Sequence, residues 1–167
     1  MTVFERAVDQ ISPHLRDGAL VVLRSTVYPG TTAYVTQHLA EAGCAVDVAF
    51  CPERIAEGHA LEELHSLPQI IGADDDRAAE RATALFRHLV TKTVRVSTKE
   101  AELAKLFTNT WRYIKFATAN QFWMMANDFG LDFERIRHAI RHEYPRAADL
   151  PAGGMSSSIF IVLPLRF

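Results

Sequence analysis

Two carboxylates, Glu53 and Glu57, stand four residues apart in Cys51-Pro-Glu-Arg-Ile-Ala-Glu-Gly58. On a helical turn that spacing places both on one face, where they can do general acid–base work or activate a water. The same spacing equally describes a charged surface turn. Further along, Lys105, Asn109 and Arg112 step by four and then three, so a helix through them holds all three on one line. Such a line is either a solvated face or a functional row. Cys44 and Cys51 are too few and too loosely spaced for a disulfide framework or a zinc site. They point to a reducing, cytoplasmic setting.

Lys105 and Asn109 need a helix beneath them. The stretch from Glu100 to Phe129 supplies one of about 30 residues, near 45 Å at roughly 1.5 Å per residue. Ser97-Thr-Lys-Glu100 has the capping-box pattern, in which each side chain satisfies a free N–H of the first turn. Gly130 is the expected stop. Leu103, Leu106, Phe107, Ile114, Ala117 and Met125 recur at three- and four-residue steps as one apolar stripe.

The carboxylates need a strand behind them. Helical spacing over residues 3–15 leads through Asp17-Gly18 to the apolar run 19–23, which suits a parallel strand buried on both faces. A loop at 24–30 follows, then a helix capped by Thr31 or Thr32 and running to about Ala42, then a strand at 45–50. This is a βαβ unit, whose crossover is right-handed. Ligands of such sheets gather at the carboxyl ends of strands, where Ser25–Gly30 and Cys51–Gly58 both lie. A short amphipathic piece at 60–64 precedes a third strand at Gln69–Gly72. Asp74, Asp75 and Asp76 suit the start of a helix over Ala78–Val90, and Val94–Val96 is a last short strand. Beyond Gly130, Asp132 caps a short helix carrying Ile136, Ala139 and Ile140 and ending before Pro145.

At 167 residues the chain is one domain, or one and a half. Its 49% hydrophobic and 23% charged residues are those of a globular protein. A net charge of −2 gives no footprint for nucleic acid and no polybasic membrane patch. Charges at Glu5, Arg6, Asp9, Arg16 and Asp17 exclude a signal-peptide core, and no apolar run is long enough to span a bilayer. A dinucleotide-binding sheet opens with a strand and a G-x-G-x-x-G turn. No such pattern occurs here, as if the first half of a doubly wound sheet had been left out.

In order and spacing, Ser25-Thr-Val-Tyr-Pro-Gly-Thr-Thr32, Cys51–Gly58 and Glu100-Ala-Glu-Leu-Ala-Lys-Leu-Phe-Thr-Asn109 resemble the nucleotide-sugar 6-dehydrogenases of the UDP-glucose/GDP-mannose dehydrogenase family. The resemblance covers roughly Val3 to Pro151. Lys105-Leu-Phe-Thr-Asn-Thr-Trp-Arg-Tyr113 and Tyr144-Pro-Arg-Ala-Ala-Asp-Leu-Pro151 are similar to the branch acting on N-acetylated sugars. It implies oxidation of the C6 hydroxymethyl of a UDP-sugar, such as UDP-N-acetylmannosamine, to a carboxylate. The reaction takes two NAD-dependent steps and passes through a cysteine-bound intermediate.

By their places in these motifs, Thr26 corresponds to the family threonine that helps hold the catalytic water beside the cofactor. Glu53 corresponds to the glutamate of base and water-positioning work, and Glu57 to the acid near the nicotinamide. Ser25, Thr26 and Glu57 are thus expected at NAD, and Glu53, Arg54, Lys105, Asn109 and Arg112 at the sugar nucleotide. Lys105 and Asn109 correspond to the pair that stabilises a developing oxyanion, and one helical turn between them lets both converge on one oxygen. The resemblance implies a homodimer built on the long helix, and Trp111, Tyr113, Phe116, Phe122 and Trp123 fit such an interface or a plain core.

The expected fold is therefore α/β: a partial Rossmann-type parallel sheet, the second half of a cofactor domain, followed by a long helix and an all-α central dimerisation region. The divisions fall at 1–97, 98–150 and a divergent tail, 151–167. The family's nucleophilic cysteine follows the segment that ends here at Leu150-Pro151, yet residues 152–167 hold no cysteine. A serine there is no substitute without a base to activate it. The expectation is a truncated or frame-changed chain, diverging near Gly153, with no turnover alone. Its uncharged run Ile159-Phe-Ile-Val-Leu163 has strand propensity. A non-catalytic dimerisation or scaffold relative is the alternative; the 6-phosphogluconate dehydrogenase-like group, which shares the Lys-x-x-x-Asn spacing, is a third.

Overall fold

The chain divides into two compact units, 1–107 and 108–167. The computed structural model describes residues 3–55, 63 and 65–154. In the first unit, β1 (Leu20–Leu23), β2 (Asp47–Phe50), β3 (Gln69–Gly72) and β4 (Thr93–Val96) form one sheet in that order. Helix α1 (Val3–Ile11) precedes β1, α2 (Thr31–Glu41) links β1 to β2, and α3 (Asp76–Phe86) links β3 to β4. β1 lies parallel to β2, in register from Leu20 with Asp47 to Leu23 with Phe50.

Successive side chains of a strand point to opposite faces, and the sheet sorts its core accordingly. Val21, Leu23 and Val48 join Val8, Val35 and Leu39 on the side of α1 and α2. Leu20, Val22, Ala49 and Cys51 join Ala78, Ala82 and Phe86 on the side of α3. β2 is buried along its whole length, as a strand covered on both faces must be. Complete burial of a side chain such as Leu39 stabilises by about 1.5–3 kcal/mol.

The sheet is mostly parallel, with one reversal. β2 and β3 run antiparallel and pair at Phe50 with Gly72, so the ends of the two strands meet at one level. A four-residue strand carries no mark of its direction, so the spacing did not disclose this. β4 is parallel to β3 and in register with it, pairing Gly72 with Val96. It therefore delivers Ser97 to the level where β2 ends. Gly72 permits the close packing there: a Cβ on it would lie 2.4 Å from the Ala101 Cβ.

Neighbouring aspartates start two helices. Asp75 caps α3 by accepting the Ala78 N–H at 3.0 Å, while Asp74 accepts the Thr98 N–H at 3.0 Å. α3 ends at Phe86 rather than Val90, and beyond it the Leu89 N–H closes a tighter i→i−3 turn on the Phe86 carbonyl at 2.8 Å. α4 (Thr98–Asp128) opens with the expected capping box, Ser97 N–H and Oγ donating to Glu100 at 2.8 and 2.7 Å. It runs on into the second unit. There Gly130 N–H donates to Asn127 O at 2.9 Å and Leu131 N–H to Ala126 O at 2.8 Å, the Schellman stop. Asp132 then accepts the Glu134 N–H at 2.8 Å and caps α5 (Phe133–Arg141).

The buried positions of α4 are Thr98, Ala101, Glu102, Ala119 and Ala126, mostly small residues that admit close neighbours. The apolar stripe lies elsewhere: Leu103, Phe107, Ile114, Ala117 and Met125 are exposed and Leu106 is half-buried. The amphipathic piece expected at 60–64 falls, apart from Glu63, outside the described residues, as does the tail from Met155.

Candidate functional site

The loop leaving β1 is closed by a tight turn. Thr31 N–H donates to Tyr28 O at 3.1 Å, and Thr31 Oγ1 donates to the same carbonyl at 2.7 Å. Pro29 and Gly30 occupy the corners, Gly30 at φ 94 and ψ −5. That is a type II turn, whose third residue must take a positive φ. Ser25 is exposed and Thr26 half-buried. Thr26 stands in a cleft of about 480 Å³ with Phe4, Tyr28, Gly30 and Tyr34 on its walls.

The loop leaving β2 is held from several sides. Cys51–Ile55 is irregular rather than helical, and Glu57 lies outside the described residues. Glu53 N–H donates to Arg24 O at 3.2 Å. Glu53 Oε1 accepts the N–H groups of Arg54 and Ile55 at 2.7 and 2.8 Å, and Oε2 pairs with the Arg24 guanidinium. Arg24 also sits 5.0 Å over the Phe86 ring. Burial is the largest influence on the Glu53 carboxyl and opposes its charge. The Ile55 N–H, the Arg24 guanidinium and the Arg54 N–H together outweigh it and hold the group below its ordinary value. Beside Glu53, Arg24 and Gln69 is a space of about 20 Å³, room for about one water.

Lys105 comes to this loop from the second turn of α4 and donates from Nζ to the Glu53 carbonyl oxygen. Arg54 turns away and donates to the Pro68 carbonyl. Glu102, one turn before Lys105, is fully buried. Its Oε2 accepts Gly30 N–H at 2.6 Å, and its Oε1 accepts Thr32 N–H and Thr32 Oγ1, both at 2.7 Å. Asn109 and Arg112 belong to the second unit, where Asn109 is half-buried and Arg112 exposed. Burial pushes the Cys51 thiol up to about 12, so this cysteine forms no thiolate near neutral pH.

The structure thus joins Lys105 directly to Glu53 and places Thr26 on the neighbouring loop of the same unit. Arg24 and Glu102 escaped the sequence reading. Arg24 immediately precedes Ser25-Thr26, and Glu102 lies inside the motif that carries Lys105, so both stood next to recognised residues. Among the described residues, no group of His, Cys, Asp and Glu could hold a metal ion, and no helix is long and apolar enough to cross a membrane.

A βαβ unit with its polar loops at the strand ends gives the first unit a partial Rossmann-like fold. The chain belongs to the UDP-glucose/GDP-mannose dehydrogenase family: residues 1–90 match the family's NAD binding domain and residues 99–156 its central domain. A UDP-N-acetyl-D-mannosamine dehydrogenase of Methanocaldococcus jannaschii is 36% identical over 155 residues, 92% of this chain and 36% of the relative. The structure of a UDP-D-ManNAc dehydrogenase from Pyrococcus horikoshii superposes with a TM-score of 0.83 at 30% identity, covering 93% of this chain and 38% of that one. A UDP-glucose dehydrogenase from Pyrobaculum islandicum superposes with a TM-score of 0.75 at 32% identity, over 84% of this chain and 34% of that one. The chain spans little more than a third of the length of these relatives.

Proposed function

We propose that these residues form the Thr26–Glu53–Lys105 part of an NAD-dependent UDP-sugar 6-dehydrogenase, with UDP-N-acetylmannosamine as the sugar nucleotide. The observation that carries the reading is Lys105 Nζ on the Glu53 main chain, which brings a cation and a carboxylate to one end of the sheet. Phe4, Tyr28 and Tyr34, with the Thr26 hydroxyl, fit a planar heterocycle and its ribose. When bound, NAD supplies a hydride acceptor. Glu53, kept ionised by its donors, orients a water beside it. Lys105 offers its charge to the developing oxyanion, with Asn109 the second donor expected from the motif. Glu57, Arg54 and Arg112 are assigned to cofactor or sugar contacts by the motif alone.

The isolated chain is expected not to turn over. Cys51 is buried and protonated, and the sequence holds no G-x-G-x-x-G turn for the pyrophosphate. The test is a graft of residues 3–150 into the Methanocaldococcus jannaschii relative, following NADH formation with UDP-N-acetylmannosamine and with UDP-glucose. NADH formation that falls at least about 100-fold on Lys105→Ala is the expected result. A folded graft that binds NAD but gives no NADH with either sugar would sink the reading.

A second, compatible reading makes α4 a homodimer seam, since Trp111, Ile114 and Phe122 are large, apolar and exposed on it, with Phe129 just past its end. The scaffold alternative keeps this seam without the chemistry.

A further inference from the structure

We infer that Glu102 is a positioning residue: a buried carboxylate on α4 that grips the Gly30 and Thr32 amides and so sets where Thr26 stands. A helix start leaves several N–H groups without internal partners. α2 receives no side-chain cap from its own N-cap, because that residue is Gly30. Glu102 supplies the missing acceptor from another element, both of its oxygens engaged by three donors at 2.6–2.7 Å. These are short hydrogen bonds, inside the usual N–H···O distance of about 2.9–3.0 Å.

Its reach goes beyond capping. Gly30 is a corner of the type II turn that begins at Tyr28, and the Thr31 bonds to Tyr28 O lock that turn from its other side. Fixing Gly30 therefore fixes the end of the short span that carries Thr26. One helical turn on, Lys105 holds the Glu53 carbonyl. The first two turns of α4 thus hold both strand-end loops at once, Glu102 the first and Lys105 the second. A glutamine at 102 would keep the shape but turn an NH₂ group toward an N–H donor.

The importance given to Thr26 rests on the dehydrogenase reading. The test uses neither cofactor nor sugar, so the two can fail separately. Amide hydrogen exchange and ¹H–¹⁵N spectra are recorded on the full chain and on Glu102→Gln and Thr32→Val. In Glu102→Gln, exchange at Gly30 and Thr32 is expected to quicken about 10- to 100-fold, the loss of a well-made hydrogen bond. The Thr26 resonance moves with them, while exchange at Val35 and Leu39 stays within about twofold. Thr32→Val, which removes only the hydroxyl donor, gives a smaller change at Gly30 and still moves Thr26. An unmoved Thr26 in folded Glu102→Gln, with Gly30 and Thr32 freed, would reduce Glu102 to a helix cap and overturn the inference. So would unchanged exchange at Gly30 and Thr32. Should Glu102→Gln fail to fold, an unmoved Thr26 resonance in Thr32→Val overturns it equally.

Discussion

Arg24 and Glu53 are both partly exposed, so their ion pair contributes on the order of 0.2–1 kcal/mol to stability. Its larger consequence is for protonation. With Arg24→Gln, the Glu53 carboxyl loses one of the groups that hold it down, and its pKa rises toward the ordinary glutamate value, which a ¹³C titration of the Glu53 carboxyl would follow. The sign for stability is definite. A depressed folded pKa stabilises above the unfolded carboxylate range and loses that contribution as pH falls through the folded value. Below about pH 5 the wild-type chain therefore sheds more stability than Arg24→Gln does. An unchanged Glu53 titration in the variant would show that the two backbone N–H groups suffice. Arg24 and Glu53 lie 29 residues apart, and no spacing rule connects residues so distant, which is why sequence patterns passed over the pair.

At the scale of elements, the turn after β1 depends on one backbone conformation. Gly30 has open space where a Cβ would go, so Gly30→Ala is resisted by its φ of +94 rather than by any clash. The expected loss is about 1–2 kcal/mol, read as a lower urea midpoint with unchanged slope. A loss under about 0.3 kcal/mol would mean the turn relaxes into another type. The elements with local signatures were legible in advance. Ser97 and Glu100, Gly130 with its Schellman bonds, and Asp132 each bond residues within a few positions of themselves. What stayed hidden was long-range. The reversal between β2 and β3 is invisible in two four-residue strands, and the partners of Lys105 and Glu102 lie 52 and 70 or more residues away. Which side of α4 packs was equally hidden: most of its apolar stripe is exposed, while Ala101, Ala119 and Ala126 are buried.

For the whole molecule, exposed apolar side chains matter most. Trp111 is 58% exposed and Phe129 78%, and large apolar side chains left exposed together are the material of an interface. Sedimentation equilibrium should show a dimer that dissociates on dilution. Trp111→Arg should weaken it at least about tenfold, as for a central aromatic anchor. A monomer at high concentration would count against the seam.

The bonds from Glu102 to Gly30 and Thr32 span 72 and 70 residues, and this has a consequence in time. Closing so long a loop brings little return until both ends are already structured. β1, α2 and β2 can therefore assemble as the chain emerges, with the Thr26 turn still unlatched until α4 arrives. Interactions that form after the folding barrier govern escape from the native state rather than entry into it. We expect the Glu102 latch to belong to that class, so that Glu102→Gln speeds unfolding in stopped-flow kinetics and leaves the rate of folding almost untouched.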